Sequence, residues 1–368
     1  MEDKGIYIHI PFCKRKCFYC HFVKDKYDTE RVEKYTDALV NEFRIKANFN
    51  NTNNKIDIID TIYIGGGSPS LLNEGQMSKI VEGIYKYFSI DDNVEFTIEV
   101  NPEDVTPDKL KALKNVGINR LSIGTQSFIP GDLQYLKRPH SVQQSLAAIE
   151  GAFDAGFTNI NIDFIISLPT QTKETLAANF SILERYHIPH ISAYILEDVE
   201  EGEEKNERDE KLYFFTVNYL RKLGYIQYEV SNFSKKGFQC KHNLKYWENK
   251  DYMGVGLSAS GYENGQDYKN TENIEEYFEK INTGCLPRAE IKRHDVHFRR
   301  IMMGLRLLGG INAKHFDSYP GELKLMMDNG FLIRRGDKIA VPPKKILLLN
   351  EILTYPTAWG PAARAAYL

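Results

Sequence analysis

Three of the five cysteines stand close together, and their spacing could hold a metal centre. Cys13, Cys17 and Cys20 follow the pattern Cys-x3-Cys-x2-Cys, whereas Cys240 and Cys285 stand apart and are expected to be ordinary small side chains. A structural zinc site needs four ligands, and the sequence has no second cysteine pair at the usual spacing. Three cysteines suit three irons of a [4Fe–4S] cluster and leave the fourth iron open. The pattern favours this cluster over zinc or a chance grouping.

The elements that must position these cysteines have the pattern of a parallel α/β sheet. Runs rich in β-branched and aromatic residues predict strands at 6–10, 61–64, 95–100, 120–124, 159–166 and 190–196. Amphipathic patterns predict helices at about 29–47, 74–88, 107–116, 141–156 and 172–187. The expected helix-starting and helix-ending residues are Thr29, Thr106, Ser141, Thr172, Gly117 and Gly156.

A polar or glycine-rich segment follows each of these six strands at its carboxyl end. A βα barrel builds its site from the loops at that end, whereas a doubly wound sheet uses mainly the loops at one switch point. The fold class is therefore expected to be α/β, a partial (βα)6 TIM-like barrel.

The pattern changes after residue 200, which predicts further domains. We expect the barrel at 1–200, a barrel-completing region at 201–285, and a small C-terminal α+β winged-helix-like domain at 286–355. The last comprises helices at 295–308, 320–329 and 343–353 and two short strands around the turn at Gly336 and Asp337. The charge run 197–211 predicts a solvated loop and helix start. The alanine-rich residues 356–368 have the composition of an appended tail.

The overall composition restricts the partners and the compartment. The 368 residues carry a formal net charge of −3, which gives no electrostatic basis for binding nucleic acid. No apolar run approaches the roughly 18 residues of a membrane-spanning helix, so only peripheral membrane contact is open. The amino terminus lacks the pattern of a secretory signal, and the odd cysteine count argues against a disulfide framework. We therefore expect a cytoplasmic protein.

These motifs resemble those of a known superfamily. The cysteine spacing with Tyr19 before the last cysteine resembles the signature of the radical S-adenosylmethionine (SAM) superfamily, and GGGSPS at 65–70 resembles its SAM-binding loop. The segments GIYIHIPFC, EVNP, RLSIGTQSF, DFIISLPTQT and HISAYILE are similar to the oxygen-independent coproporphyrinogen III oxidase group and its haem-chaperone relatives. The resemblance spans about residues 5–353, and it implies a barrel with the cluster and SAM in its mouth.

The resemblance also implies roles for individual residues. Cys13, Cys17 and Cys20 would ligate the cluster. The positions implied to bind SAM are Tyr7, Tyr19, Gly66, Gly67, Ser68, Glu99, Gln126, Arg138 and Asp163. Arg138 would pair with the methionine carboxylate, and Tyr19 would pack near the adenine. As an alternative, Glu99 and Asp163 would merely cap the helices that follow them.

Two departures separate the chain from the oxidases. Phe22 stands where the oxidases carry a fourth cysteine, and the first strand is expected by residue 6, where the oxidases have an extension that covers the substrate. Both departures favour the chaperone branch, whose HNxxYW motif resembles HNLKYW at 242–247.

The HNxxYW resemblance implies a haem site. His242 would be the axial ligand, and Tyr246 and Trp247 would pack against the macrocycle. In the alternative interpretation, His242 caps a loop and the two aromatic rings fill the core. His9, His21 and His140 are further histidines on or near the expected mouth.

Three functions follow from the sequence. The first is a radical SAM-type haem chaperone that binds a [4Fe–4S] cluster, SAM and haem and delivers haem to haem-dependent proteins. The second is a coproporphyrinogen III oxidase, and the third is a zinc-stabilised, non-catalytic barrel. The missing fourth cysteine favours the first, and coproporphyrinogen oxidase activity is not expected.

Overall fold

The computed structural model describes residues 3–51, 58–196, 203–293 and 295–354. The strands are β1 (Asp3–Ile10), β2 (Phe12–Cys13), β3 (Asp25–Lys26), β4 (Ile58–Gly66), β5 (Ser89–Val100), β6 (Arg120–Gln126), β7 (Asn159–Ile166), β8 (His190–Ile195), β9 (Ile226–Gln227), β10 (Asn232–Ser234), β11 (Tyr252–Val255), β12 (Ser260–Glu263), β13 (Gln266–Asn270), β14 (Arg288–Arg293), β15 (Ile311–Asn312), β16 (Ile333–Arg335) and β17 (Lys338–Ala340).

The helices lie mostly between the strands of the first half. They are α1 (Thr29–Asn51), α2 (Glu74–Tyr87), α3 (Pro107–Asn115), α4 (Pro130–Tyr135), α5 (Val142–Asp154), α6 (Lys173–Tyr186), α7 (Glu203–Lys222), α8 (Lys241–Trp247), α9 (Ile274–Asn282), α10 (Val296–Gly304), α11 (Pro320–Asp328) and α12 (Leu349–Thr354). The six predicted strands and five predicted helices are confirmed, with bounds that shift by a few residues.

One sheet of twelve strands organises the molecule, in the order β14-β13-β12-β11-β1-β4-β5-β6-β7-β8-β10-β9. The strands β1, β4, β5, β6, β7 and β8 are consecutive parallel neighbours, and β11 is parallel to β1. The outer strands of the sheet pair antiparallel. Six parallel strands joined by helical crossovers form the predicted partial (βα)6 barrel.

Alternation along each strand separates a helix-covered face from an inner face. On β1, Ile6, Ile8 and Ile10 are fully buried in the main hydrophobic core, whereas Tyr7 and His9 point to the other face. Burying each isoleucine contributes about 1.5–3 kcal/mol. On β8, an inner strand of the sheet, Tyr194 is still 44% exposed. The inner face therefore lines an accessible lumen.

Local signals place most helix ends. The side chains of Thr106, Ser141 and Thr172 accept hydrogen bonds from backbone N–H groups at the starts of α3, α5 and α6, as predicted. Thr29 is the exception: it lies inside α1, and the Asp28 carboxylate accepts from the backbone N–H of Arg31 at 2.9 Å instead. The predicted helix-ending glycines, 117 and 156, have φ of +97° and +82°.

The C-terminal region contains α10, α11 and the three-stranded sheet β15-β17-β16. The predicted turn between β16 and β17 is confirmed, with φ of +63° at Gly336. The predicted helix 295–308 ends at Gly304, and 343–353 divides into a 3-10 turn and α12. β15 was not predicted, because two residues are too few for a periodic pattern. The domain boundaries stay a prediction, and residues 197–202 of the charge run and the tail 356–368 lie outside the described residues.

Candidate functional site

The segment between β1 and β3 contains Cys13, Cys17 and Cys20 and is called the cysteine loop. It begins at the carboxyl end of β1, and backbone hydrogen bonds join its two ends. The strand β2 pairs with β3, and the N–H of Tyr27 donates to the carbonyl of Cys13 at 3.2 Å. A tighter turn joins the N–H of Cys20 to the carbonyl of Cys17 at 3.3 Å. All three cysteines are free and partly buried, so the loop holds them at the rim of the lumen.

The glycine-rich segment 65–70, called the glycine loop, lies at the end of β4. It forms hydrogen bonds with the first residues of the cysteine loop. The N–H of Gly67 donates to the carbonyl of Ile10 at 2.7 Å, and the N–H of Ser68 donates to that of Phe12 at 2.9 Å. A Cβ on Gly67 would lie 2.7 Å from the Phe12 carbonyl oxygen. Gly66 has φ of +112°, and its Cβ would lie 2.6 Å from the His9 ring. Only glycine permits this close approach of the two loops.

Polar side chains connect the thiols. The Ser68 hydroxyl lies 3.6 Å from the Cys13 Sγ and accepts from Asn101 Nδ2 at 2.9 Å. Arg138 donates to Asn101 Oδ1 at 2.8 Å and lies 3.5 Å from the Cys17 Sγ. Burial raises the pKa of Cys13, and the hydrogen bond from Ser68 opposes that rise. Hydroxyl and guanidinium donors beside these sulfurs favour thiolates, the form that binds iron.

Sequence reasoning missed Asn101, although it stands directly after β5 in the EVNP segment. Its side chain is the link between Ser68 and Arg138. A polar residue at the carboxyl end of a barrel strand was the available signal. Tyr194 was also missed, and its alternation with Ser192 and His190 along β8 was the signal that it faces the lumen.

Two carboxylates face the lumen below the glycine loop. Glu99 accepts from the Tyr63 hydroxyl and from the N–H of Gly66, both at 3.0 Å. Asp163 accepts from Asn161 Nδ2 at 2.8 Å and from the Ser122 hydroxyl at 3.1 Å. Burial raises the pKa of Glu99 to about 7, and the charge of Asp163 adds to the rise. Burial likewise raises the pKa of Asp163.

These contacts exclude the alternative that the two carboxylates cap helices, because Thr106 and Thr172 cap α3 and α6. Raised pKa values mean that both carboxylates lack a cationic partner of sufficient strength. A ligand with an amino and a sulfonium charge would supply one, so the donor set fits SAM.

The remaining implied SAM positions lie around the same mouth. The Tyr7 hydroxyl is 3.0 Å from His9 Nδ1, and its ring centroid is 6.2 Å from that of Tyr63. Tyr19 packs on a small apolar cluster that consists of Leu136, Ile165, Leu168 and Leu196. Gln126 ends β6 with φ of +68°, which turns the chain sharply at the rim.

The structure does not bring His242 to the mouth. Its ring is fully buried, with Nδ1 at 2.9 Å from the Thr61 hydroxyl and Nε2 at 2.8 Å from the Tyr246 hydroxyl. Burial lowers the pKa of His242 to about 3. Thr61 lies five residues before Gly66 on β4, which at about 3.3 Å per residue is roughly 16 Å along the strand, and the His242 ring centroid lies 5.4 Å from that of Tyr63 between them.

The aromatic rings of the same motif also pack internally. Tyr246 contacts Tyr252 with ring centroids 4.5 Å apart, and the guanidinium of Arg306 lies 5.4 Å above the Trp247 ring. The arrangement matches the alternative in which the HNLKYW segment fills the core. Haem ligation by His242 stays a prediction, and it would require the ring to exchange its bond to Thr61 or Tyr246 for the iron.

Within the described part of the chain, no three His, Cys, Asp or Glu side chains are arranged to hold a metal ion. A [4Fe–4S] cluster takes one thiolate per iron, so its cysteine ligands lie farther apart than the ligands of a single metal ion.

Comparisons with known proteins identify the family of the chain. The family model of the Radical SAM superfamily matches residues 7–181. The heme chaperone HemW of Lactococcus lactis is 33% identical over 334 residues, which cover 86% of this chain and 85% of that relative. The chain belongs to the HemW family. HemW of Bacillus subtilis is 31% identical and covers 95% of this chain and 98% of its own length.

A solved structure extends the likeness to the fold of nearly the whole chain. Coproporphyrinogen III oxidase HemN of Escherichia coli, a radical SAM enzyme, superposes with a TM-score of 0.81 at 21% identity and covers 95% of this chain and 89% of that one. At this identity the likeness shows the fold alone. Radical SAM membership implies a [4Fe–4S] cluster and SAM as the cofactors of this HemW family member. Among the described helices, none has the length and apolar character to cross a bilayer.

Proposed function

We propose that this protein is a haem chaperone of the cytoplasm that binds a [4Fe–4S] cluster, SAM and haem and delivers haem to haem-dependent proteins. The observation that carries the proposal is the rim of the barrel, where three cysteines, a glycine loop and two lumen carboxylates converge in a HemW family member. The recipient proteins are identified only by their requirement for haem.

The residues of the rim have separate tasks in this proposal. Cys13, Cys17 and Cys20 would hold three irons and leave the fourth iron for SAM. When bound and reduced, the cluster supplies one electron that can cleave SAM. Glu99 would hold the amino group of SAM beside the Gly66 backbone, and Arg138 would neutralise charge near Cys17.

An anaerobic reconstitution tests this function in one preparation. We expect about four irons per chain, saturable SAM binding and a haem Soret band, followed by transfer of haem to an apo-haem acceptor such as apomyoglobin. The triple variant with Cys13, Cys17 and Cys20 changed to Ala is the control and should lose iron and SAM binding. Zinc in place of iron would favour the non-catalytic barrel, and a wild-type chain that binds no haem would refute the chaperone.

The same preparation tests the oxidase. We expect no conversion of coproporphyrinogen III in the presence of SAM and a reductant, because Phe22 stands at the position of the fourth cysteine of the oxidases. Formation of protoporphyrinogen IX would make the oxidase the correct assignment.

A further inference from the structure

We propose that Thr61 selects the ring nitrogen through which His242 binds the haem iron, and that the Tyr246 hydroxyl occupies the iron position in the haem-free chain. Thr61 is a positioning residue in this arrangement, because it acts on the iron through the imidazole. The inference rests on the proposed haem-chaperone function and on the predicted ligation by His242. It adds which nitrogen binds, what holds the ring and which side chain must move.

The first step is the anchoring of α8, the helix that carries the histidine. At its start, the Glu95 carboxylate on β5 accepts hydrogen bonds from the backbone N–H groups of Lys241 at 3.1 Å and of His242 at 3.0 Å. One turn later, the buried ammonium of Lys245 lies 2.6 Å from the Asp60 carboxylate on β4. Because charged contacts to two strands fix this short helix, haem binding requires the movement of a side chain rather than of the helix.

The second step is the space around the two ring nitrogens of His242. Nδ1 faces the sheet, 2.9 Å from the Thr61 hydroxyl. A Cβ on Gly5 would lie 3.1 Å from the His242 Cε1 and 2.9 Å from the Thr61 Oγ1, so β1 and β4 leave no space for a macrocycle on that side. Nε2 lies 2.8 Å from the hydroxyl of Tyr246, a side chain that is only half-buried. Iron can therefore reach the ring at Nε2, in the place of the Tyr246 hydroxyl.

The third step is the position of the protons. Burial lowers the pKa of His242 to about 3, so the imidazole is neutral and has one N–H and one lone pair. Burial raises the pKa of Tyr246 well above its usual range, so its hydroxyl keeps its proton. A phenol is more acidic than an aliphatic alcohol and is therefore the stronger hydrogen-bond donor. Tyr246 accordingly donates to Nε2, and Nδ1–H donates to the hydroxyl oxygen of Thr61.

This tautomer is the one that an iron at Nε2 requires. Metal-binding histidines commonly donate their other ring N–H to a fixed acceptor, which orients the ring and raises its basicity. Thr61 supplies that acceptor before haem arrives, and the Tyr63 ring, 5.4 Å from the His242 ring and inclined by 31°, packs beside the imidazole.

Binding then exchanges one bond for another without a proton transfer. The hydrogen bond from the Tyr246 hydroxyl to Nε2 breaks, and the lone pair of Nε2 forms the bond to iron. Tyr246 keeps its proton, and His242 keeps Nδ1–H on Thr61. Release of haem to an acceptor reverses the exchange, because the Tyr246 hydroxyl can again bond to Nε2.

The test titrates haem into the full chain and its variants and records the absorption spectrum. Thr61→Val removes the acceptor and keeps the size of the side chain, so we expect haem to bind roughly tenfold more weakly. Thr61→Ser keeps a hydroxyl and should restore most of the affinity. Thr97→Val is the matched control. Thr97 is as fully buried on β5 as Thr61 is on β4, and its hydroxyl has no hydrogen-bond partner among the described residues, so haem should bind as in the wild type.

Tyr246→Phe should change binding in the opposite direction. It keeps the ring and removes the competing hydroxyl, so haem should bind about fivefold more tightly, the factor that corresponds to one ordinary hydrogen bond. A misfolded variant cannot mimic this gain. The reduction potential of the bound haem is an independent readout. In Thr61→Val it should shift to more positive values, because a less basic imidazole stabilises ferric iron less.

The outcomes distinguish this inference from the function itself. A wild-type chain that binds no haem defeats both. A wild-type chain that binds haem, with an unchanged spectrum in His242→Ala, overturns the inference and leaves the chaperone in place. If His242→Ala loses the histidine-ligated spectrum but Thr61→Val equals Thr97→Val in affinity and potential, Thr61 has no positioning role. Weaker haem binding by Tyr246→Phe would overturn the assignment of the Tyr246 hydroxyl to the iron position.

Discussion

The close approach of the two loops at the barrel rim predicts a large cost for Gly66→Ala. The φ of +112° at Gly66 is strained for a residue with a Cβ, at about 1–2 kcal/mol. The new Cβ would lie 2.6 Å from His9, so the ring must move. Its hydrogen bonds to the Tyr7 hydroxyl and the Val23 carbonyl would then be lost, at about 1 kcal/mol each. The free energy of unfolding should therefore fall by about 3–4 kcal/mol.

Gly156→Ala is the matched control. Gly156 has φ of +82°, and its Cβ would meet nothing within 4 Å. Only the backbone strain remains, so the loss should be about 1–2 kcal/mol. Urea unfolding of the cofactor-free chain measures both variants. Equal losses in the two variants would refute the crowding at Gly66. A second test introduces Gly66→Ala into a chain that already carries His9→Ala. If the substitution costs as much there as in the wild-type chain, the crowding is also refuted.

Three further predictions concern buried charges. Folding raises the pKa of Glu99 from 4.5 to about 7. A shift of this size corresponds to roughly 3 kcal/mol in the free energy of unfolding. This stabilisation is fully present below pH 4.5 and is lost as the pH rises through 7. In the cofactor-free chain, Glu99→Gln should therefore stabilise at pH 8 and have little effect near pH 4.5, as read from urea midpoints. Arg299→Ala should cost about 2–3 kcal/mol, because two 2.7 Å bonds to Asp267 join α10 to β13. Glu42→Ala should cost about 3–5 kcal/mol, because it removes the ion-pair partner of the buried Lys46.

Each of these predictions has a control in the same chain. Lys324 and Asp328 form an exposed ion pair on α11, so Lys324→Ala should change stability by less than about 1 kcal/mol. Arg299→Lys keeps the charge but not the two parallel bonds, and should recover only part of the loss. A Glu99→Gln effect of the same size at both pH values would contradict the raised pKa. A Glu42→Ala cost no larger than that of Lys324→Ala would contradict the role of the buried carboxylate.

Local patterns were sufficient for the elements and for the end of the barrel that carries the site. The alternation of buried residues along β1 and the helix caps Thr106 and Thr172 each involve only a few neighbouring residues. They can therefore be predicted from the sequence without knowledge of the fold. The error at Thr29 arose because a neighbouring aspartate competes equally well as a cap. Asn101 was overlooked because its partners, Ser68 and Arg138, are more than thirty residues away in the chain.

The sequence by itself determined the family chemistry of this protein, since the spacing of Cys13, Cys17 and Cys20 is a property of one short loop. Only the tertiary structure decided the surroundings of His242. The sequence predicts this histidine as a haem ligand, and α8 packs its ring beside Gly5 of β1 and between Thr61 and Tyr246. Whether a ring nitrogen is free depends on which neighbours the fold brings to it, and those neighbours are distant in the chain.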